Sequence, residues 1–269
     1  MRVLAHISDL HFGREDPVLA EALLGDLAAT SPSVVAVSGD LTQRARRREF
    51  EAARAWIARL PAPAVVVPGN HDVPLFNLWA RLTASLDRFR LYIEPEPFPL
   101  HADPELVVVG LSTARALTSS AGWITSDQVE TLQTRLASAP ADALRVLVAH
   151  HQFVAAPGRP HPGPMRGADE ALAALERCGV DLLLGGHAHL SYWGDARQHY
   201  RALRRSILFV QAGTATSNRR RGEPNAWNRI VIHTGRVEVE PRVWDGRRFA
   251  PQTPTVFRRT DAAWETTSA

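Results

Sequence analysis

Residues 64–72 read AVVVPGNHD: a short apolar run that passes straight into Asn70, His71 and Asp72. Pro68 and Gly69 stop the strand pattern and aim the three polar side chains that follow. The same arrangement recurs along the chain. VLAHI (3–7) is followed by SDLH, VVAVS (34–38) by GD, RVLVA (145–149) by HH, and DLLL (181–184) by GGHAH. Each run is continuously apolar, as expected of a strand covered on both faces. LVVVG (106–110) and ILFVQA (207–212) add two more.

Helical periodicity fills the spaces between, over 17–29, 47–60, 75–89, 126–138 and 168–178. Strand and helix alternate to about residue 184, which predicts βαβ units and a largely parallel sheet. After residue 200 only strand patterns remain: RIVIHT and RVEVEPRVW, joined at Thr234-Gly235 as a hairpin. The reading is an α/β domain over residues 1–250, with the Pro- and Thr-rich stretch 251–269 as a loosely ordered tail.

Ligands of open α/β sheets collect beyond the carboxyl ends of the strands. Asp9, His11, Asp40, Asn70, His150, His187 and His189 all fall there, an oxygen and nitrogen donor set with no thiolate. Such donors suit Mn, Fe, Zn or Co. Seven ligands exceed one tetrahedral site, and they divide into two sites if one carboxylate bridges. Asp9 and His11 are two apart, as are His187 and His189, so on extended segments each pair points to one side.

In this full order, DLH (9–11), GD (39–40), GNHD (69–72), HH (150–151) and GHAH (186–189), the chain resembles the calcineurin-like metallophosphoesterases. The resemblance spans residues 1 to about 235 and implies a four-layer α/β/β/α sandwich with a binuclear metal centre. Asp9, His11 and His189 would hold the first metal, Asn70, His150 and His187 the second, with Asp40 bridging. His150, the first residue past its strand, is taken as the family ligand in preference to His151. His71 would sit beside the scissile phosphate, donating a proton to the leaving oxygen or holding the phosphate.

GDLTQRA has Gln43 where the Ser/Thr protein phosphatases carry Asp, which disfavours that branch. The arrangement looks most like the bacterial class III cyclic nucleotide phosphodiesterases and related phosphodiesterases. The implied activity is hydrolysis of a small phosphodiester, such as a 3′,5′-cyclic nucleotide, by hydroxide held between two divalent or mixed-valence cations. The alternatives are a nuclease of the same fold, a phosphomonoesterase, or a metal-free scaffold. Filled ligand positions count against the last.

The bulk composition agrees with a folded domain: 269 residues, 45% apolar, 22% charged and a formal charge of +3. That charge is far from the balance of a nucleic-acid coat, so nucleic acid is a permitted partner and not a favoured one. Arginines cluster at 44–48, 204–205 and 219–221. Of these, Arg44, Arg219 and Arg220 are candidate substrate contacts, together with His151.

His6, inside the first strand, is expected to pack or to orient a ligand, whereas His101, His161, His199 and His233 lack motif support. Cys178 stands alone, so no internal disulfide framework is possible, and the N-terminal residues read as a strand and not as a signal peptide. No run approaches the roughly 18 apolar residues of a membrane span. The expectation is a cytoplasmic protein, with its oligomeric state open.

Overall fold

Two sheets pack face to face, and each is covered on its outer side by helices. The computed structural model describes residues 1–75, 78–116, 121–158, 163–260 and 263–267. In chain order the elements of the first half are β1 (Arg2–Ile7), α1 (Pro17–Thr30), β2 (Val34–Val37), α2 (Arg47–Ile57), β3 (Ala64–Val66), α3 (Leu78–Thr83), α4 (Asp87–Tyr92), β4 (Leu100–Ala102), β5 (Leu106–Gly110) and α5 (Ser126–Ala137). There follow β6 (Leu144–Val148), α6 (Ala168–Arg177), β7 (Leu182–Gly185), β8 (Tyr192–Asp195), β9 (Leu208–Gln211), β10 (Ala226–His233), β11 (Arg236–Trp244), β12 (Phe249–Pro251), β13 (Thr255–Arg259) and β14 (Trp264–Thr267).

The first sheet runs β14-β13-β11-β10-β1-β2-β3, with β12 paired to β11, and the second runs β4-β5-β6-β7-β9-β8. Within them β1, β2 and β3 are parallel, as are β5, β6, β7 and β9. Instead of one largely parallel sheet there are therefore two mixed ones. In the first the chain returns as the hairpin β10–β11 through Thr234-Gly235, with β10 antiparallel to β1, and in the second the edge strands β4 and β8 pair antiparallel.

Three apolar cores separate the four layers. Leu4, Val34 and Val65 of the first sheet meet Val108, Val146 and Leu184 of the second in the central one. Leu23, Leu27, Phe50 and Trp56 pack α1 and α2 on the outer face of the first sheet, and Leu132, Leu136, Leu172 and Leu175 pack α5 and α6 on that of the second. Strands buried on both faces explain the continuous apolar runs in the sequence.

Local signals set the helix ends. Asp16 Oδ1 accepts the N–H groups of Val18 and Leu19, with Pro17 at the first position of α1. Thr125 Oγ1 accepts from the Gln128 N–H, and Gln128 Oε1 accepts from the Thr125 N–H, a capping box at α5.

The single helix expected over 75–89 is two shorter ones, α3 and α4, with residues 76–77 of that stretch outside the described residues. Thr83 Oγ1 donates back to the Trp79 carbonyl, a local bond that competes with continuation of the helix. Phe89 is buried while Trp79 is 78% exposed, so the apolar pattern does not cover one inward face.

The stretch beyond 250 departs from the loose tail expected of it. Pro and Thr suggested disorder, but TVFRR and WETT are β-formers, and they extend the first sheet through β11. Phe257 and Trp264 close the central core at its edge, and the Trp264 N–H donates to Ser206 Oγ. Replacing Trp264 by Ala should therefore destabilise the chain by about 3 kcal/mol, near the low end for a buried Trp. Urea unfolding checks this, and an unchanged midpoint would mean that β14 does not hold the sheet.

Candidate metal centre

The carboxyl ends of β1, β2 and β3 meet those of β6 and β7, and the polar side chains that follow these strands converge there. Asp9, His11, Asp40, His187 and His189 all have positive φ, between 48° and 66°. The pairs Asp9/His11 and His187/His189 are therefore not on extended segments, as the spacing suggested. Each left-handed residue costs on the order of 1 kcal/mol or more and persists only where its surroundings enforce it. Here the loops are tied together. Asp9 N–H donates to the Gly39 carbonyl, His11 N–H to that of Asp40, and Phe12 N–H to that of Leu41.

Asp9 and Asp40 are 0% and 1% exposed. Asp9 Oδ2 accepts from Ser8 Oγ at 2.7 Å and from the His187 N–H at 3.1 Å, while Asp9 Oδ1 has no hydrogen-bond partner among the described residues. His11 Nε2 and His189 Nε2 each lie 3.5 Å from that oxygen, and His11 Nε2 is 3.6 Å from Asp40 Oδ2. The other Asp40 oxygen, Oδ1, is 3.4 Å from His150 Nε2. Asn70 Oδ1 lies 3.1 Å from His150 Nε2 and 2.9 Å from His187 Nδ1.

The carboxylate–imidazole separations are too long for charge-assisted hydrogen bonds, which run about 2.7–2.9 Å. They suit donors sharing a cation, whose bonds of roughly 2.0–2.2 Å leave its ligand atoms about 3 to 3.5 Å apart. Asp9, His11 and His189 form one group able to hold a metal ion, and Asp9, Asp40 and His150 form a second. His150, His151 and His187 form a third. Asp40 turns one oxygen to each side.

Several partners fix the ring orientations. His150 Nδ1 donates to the Ser38 carbonyl at 2.8 Å, which directs Nε2 into the site. His189 Nδ1 meets Thr214 Oγ1 at 2.7 Å, and the Thr214 hydroxyl donates onward to the Arg219 carbonyl. His6 Nε2 bonds Ser38 Oγ, so its place is behind the site and not in it. Gly69 allows a close backbone approach: a Cβ there would stand 2.1 Å from Asp40 Oδ1.

Asp72, the last residue of GNHD, accepts the N–H groups of Gly69, Leu41 and Thr42 and the Thr42 hydroxyl. It latches the Asn70 loop to the Asp40 loop. Burial, with Asp40 nearby, pushes its carboxyl up to about 6, against the pull of those N–H groups.

The electrostatics follow from burial against mutual charge. Burial alone would raise Asp9, yet His189, His11 and His150 hold it well below the usual carboxylate range. Burial takes His187 down to about 3 and His189 to about 4, so both imidazoles offer lone pairs. Burial also opposes charge on His150, but Asp40 and Asp9 outweigh it and raise that imidazole.

At the rim, His71 Nδ1 donates to the Gln43 carbonyl at 2.8 Å, and the Arg219 guanidinium lies 2.7 Å from Nε2. Burial lowers the His71 pKa, with His11 and Arg219 adding to the effect and Asp40 opposing it. The His71 ring stands edge-on to that of His11 at 4.9 Å.

Of the sequence-predicted residues, the seven candidate ligands, His71, His151 and Arg219 are thus brought together. Arg44 and Arg220 are exposed, with the Arg44 N–H donating to Glu49 Oε2. His101 lies in β4, His233 ends β10, and His199 follows a short turn after β8. His161 lies outside the described residues. Sequence reading missed Ser38, Thr113 and Thr214. The last two follow β5 and β9 in LST and AGT, polar residues after apolar runs, and that was the available signal.

Residues 2–191 match the model of the calcineurin-like phosphoesterase family. The chain is 26% identical over 200 residues to a probable cyclic nucleotide phosphodiesterase of a Synechococcus strain, covering 70% of this chain and 74% of that protein. It is likewise 26% identical over 208 residues to the glycerophosphodiester phosphodiesterase GpdQ of Enterobacter lignolyticus, covering 70% of each. Among solved structures, a purple acid phosphatase from yellow lupin seeds shares the fold with a TM-score of 0.68 at 12% identity. The match covers 97% of this chain and spans about half the length of the lupin enzyme, 54%.

The Thr214 hydroxyl orients His189, and loss of such an orienting partner typically weakens metal binding about 10- to 100-fold. A calorimetric Mn²⁺ titration of Thr214→Val should show one site weakened by that factor. Unchanged affinity at both sites would separate Thr214 from the centre.

Proposed function

The chain belongs to the calcineurin-like phosphoesterase family, and from that premise we propose that it is a phosphodiesterase acting on small phosphodiesters, 3′,5′-cyclic nucleotides among them. The observation that carries the reading is that the two oxygens of buried Asp40 face different imidazoles, Oδ2 that of His11 and Oδ1 that of His150. The family fold goes with a dimetal centre, and the His and Asp groups present could hold metal ions. The names of both curated relatives support diester over monoester chemistry.

In this reading Asp9, His11 and His189 hold one cation and Asn70, His150 and His187 the other, with Asp40 between them. Divalent ions of the Mn, Fe, Zn or Co kind suit these donors. Bound there, they would lower the pKa of water and offset the charge of the phosphate. The orphaned Asp9 Oδ1 and His11 Nε2 fit this: both are buried, and leaving such atoms unmatched costs about 1–3 kcal/mol each.

The protein's own part is to fix tautomers and exclude alternatives. The Ser38 carbonyl keeps a proton on His150 Nδ1, so any proton on Nε2 must leave when that nitrogen takes a cation. His71 donates at Nδ1 to the Gln43 carbonyl, so at rest its Nε2 accepts from Arg219. A phosphoryl oxygen entering beside His71 meets the Arg219 guanidinium, and pairing with it releases His71 Nε2 to face the substrate. Arg219 is held for this role by a loop whose backbone is tied through Thr214 to His189.

Among the described residues no helix is long and apolar enough to cross a membrane. A cytoplasmic setting accords with the single cysteine.

The test is hydrolysis of bis(p-nitrophenyl) phosphate beside p-nitrophenyl phosphate, after chelation and after Mn²⁺ is restored. Diester turnover should exceed monoester turnover, vanish on chelation and fall at least about 100-fold in Asn70→Ala. Faster monoester turnover would make the chain a phosphatase instead.

A further inference from the structure

His151 follows His150 on the loop after β6, is 2% exposed, and is held on several sides. Thr113 Oγ1, just past β5, lies 3.3 Å from its backbone N and 2.8 Å from its Nδ1. The backbone N–H can only donate, so the Thr113 oxygen accepts it. The hydroxyl proton of Thr113 is matched only if His151 Nδ1 accepts it, since no other acceptor for it stands among the described contacts. An imidazole that accepts at Nδ1 carries its own proton on Nε2.

Gly122 closes one face of the ring, where a Cβ would stand 2.3 Å from Nδ1 and 2.5 Å from Cγ. The rings of His150 and His187 flank it at 5.0 and 4.7 Å. The imidazole is thus fixed in place, yet Nε2 is buried with no hydrogen-bond partner among the described residues. A buried donor held without an acceptor is uncommon, and it marks a place where an acceptor binds.

The neighbouring imidazoles do not offer a donor of this kind. His150 Nε2 and His187 Nδ1 face Asn70 Oδ1, and His71 Nε2 is turned to Arg219.

We propose that His151 is the imidazole that donates a hydrogen bond, through Nε2–H, to a phosphoryl oxygen of the bound substrate, and that it is not a further ligand of the second cation. The proposal rests on the phosphoesterase reading above. It places the donor to the phosphate on the second sheet, across the site from His71, which as held is an acceptor. Grouping of His151 with His150 and His187 within 4.8 Å puts this donor beside the second cation position. The Thr113 hydroxyl fixes the tautomer that makes it a donor and keeps its lone pair turned away from the metal.

The experiment compares the full-length chain, wild type and with His151→Ala, His151→Gln or Thr113→Val, after loading with Mn²⁺. Metal content by mass spectrometry, affinity for inorganic phosphate by calorimetry, and turnover of bis(p-nitrophenyl) phosphate are measured on each. His151→Ala should keep two Mn²⁺ per chain, bind phosphate about 10-fold more weakly and lose about 100-fold in kcat, as for removal of one preorganised donor. His151→Gln, whose amide nitrogen reaches the Nε2 position, should recover part of both losses. Thr113→Val should weaken phosphate binding without loss of metal.

Loss of one Mn²⁺ equivalent in both His151 variants would make His151 a ligand and overturn the proposal. Two retained Mn²⁺ with unchanged phosphate affinity would reduce it to packing and also overturn it. A wild type that turns over neither ester would sink the phosphoesterase reading by itself, and the phosphate titration would still decide the role of His151.

Discussion

Two carboxylates, Asp9 and Asp40, are buried where the strand ends of two sheets meet, and the rest of the structure answers that constraint. Burial of a charge is tolerated only where opposite charge and hydrogen bonds compensate it. Here the compensation is partial. One Asp9 oxygen is well supplied by Ser8 and the His187 backbone, and the other has imidazoles near it at 3.5 Å and no hydrogen bond among the described residues. The site is built for something positive that the polypeptide does not itself provide. Five of its residues accept left-handed backbone in order to aim at it, strain that the surrounding β-loops hold in place.

The layered fold supplies the rigidity for this. The central core locks the two sheets together, so groups carried by β1–β3 and groups carried by β6 and β7 keep a fixed distance. Behind the donors stands a row of small polar residues, Ser38, Thr113 and Thr214, each fixing one imidazole. They decide which nitrogen of each ring faces the centre. In all three rings the partner holds Nδ1 and leaves Nε2, so the direction of the bond at Nδ1 sets whether Nε2 carries a lone pair or a proton.

Much of this was legible in the sequence. Apolar runs covered on both faces, each ending in Asp, Asn or His, are enough to place the donors at one edge, because turn chemistry alone does not call for histidine. The order of the helices and the hairpin at Thr234-Gly235 could be read as well. What escaped was set by tertiary contact. Thr113 and Thr214 look like ordinary strand-end residues until a ring from another strand stands against them. The short β4 and β8 are too brief for any period to show, and β13 and β14 carry Pro and Thr nearby that suggest a loop until Phe257 and Trp264 are seen to be buried. The left-handed backbone at Asp9 and His189 has no signature in residue spacing, since Asp and His, though enriched there, adopt it in only a small minority of positions.

A pair of cation positions joined by Asp40 would be visible in anomalous diffraction from crystals of the Mn²⁺-loaded chain. Two anomalous peaks are expected about 3.5–4 Å apart, one within bonding distance of Asp9, His11 and His189 and the other of Asn70, His150 and His187, with Asp40 touching both. A single peak, or a second that avoids Asn70 and His150 in a well-ordered site, would contradict it.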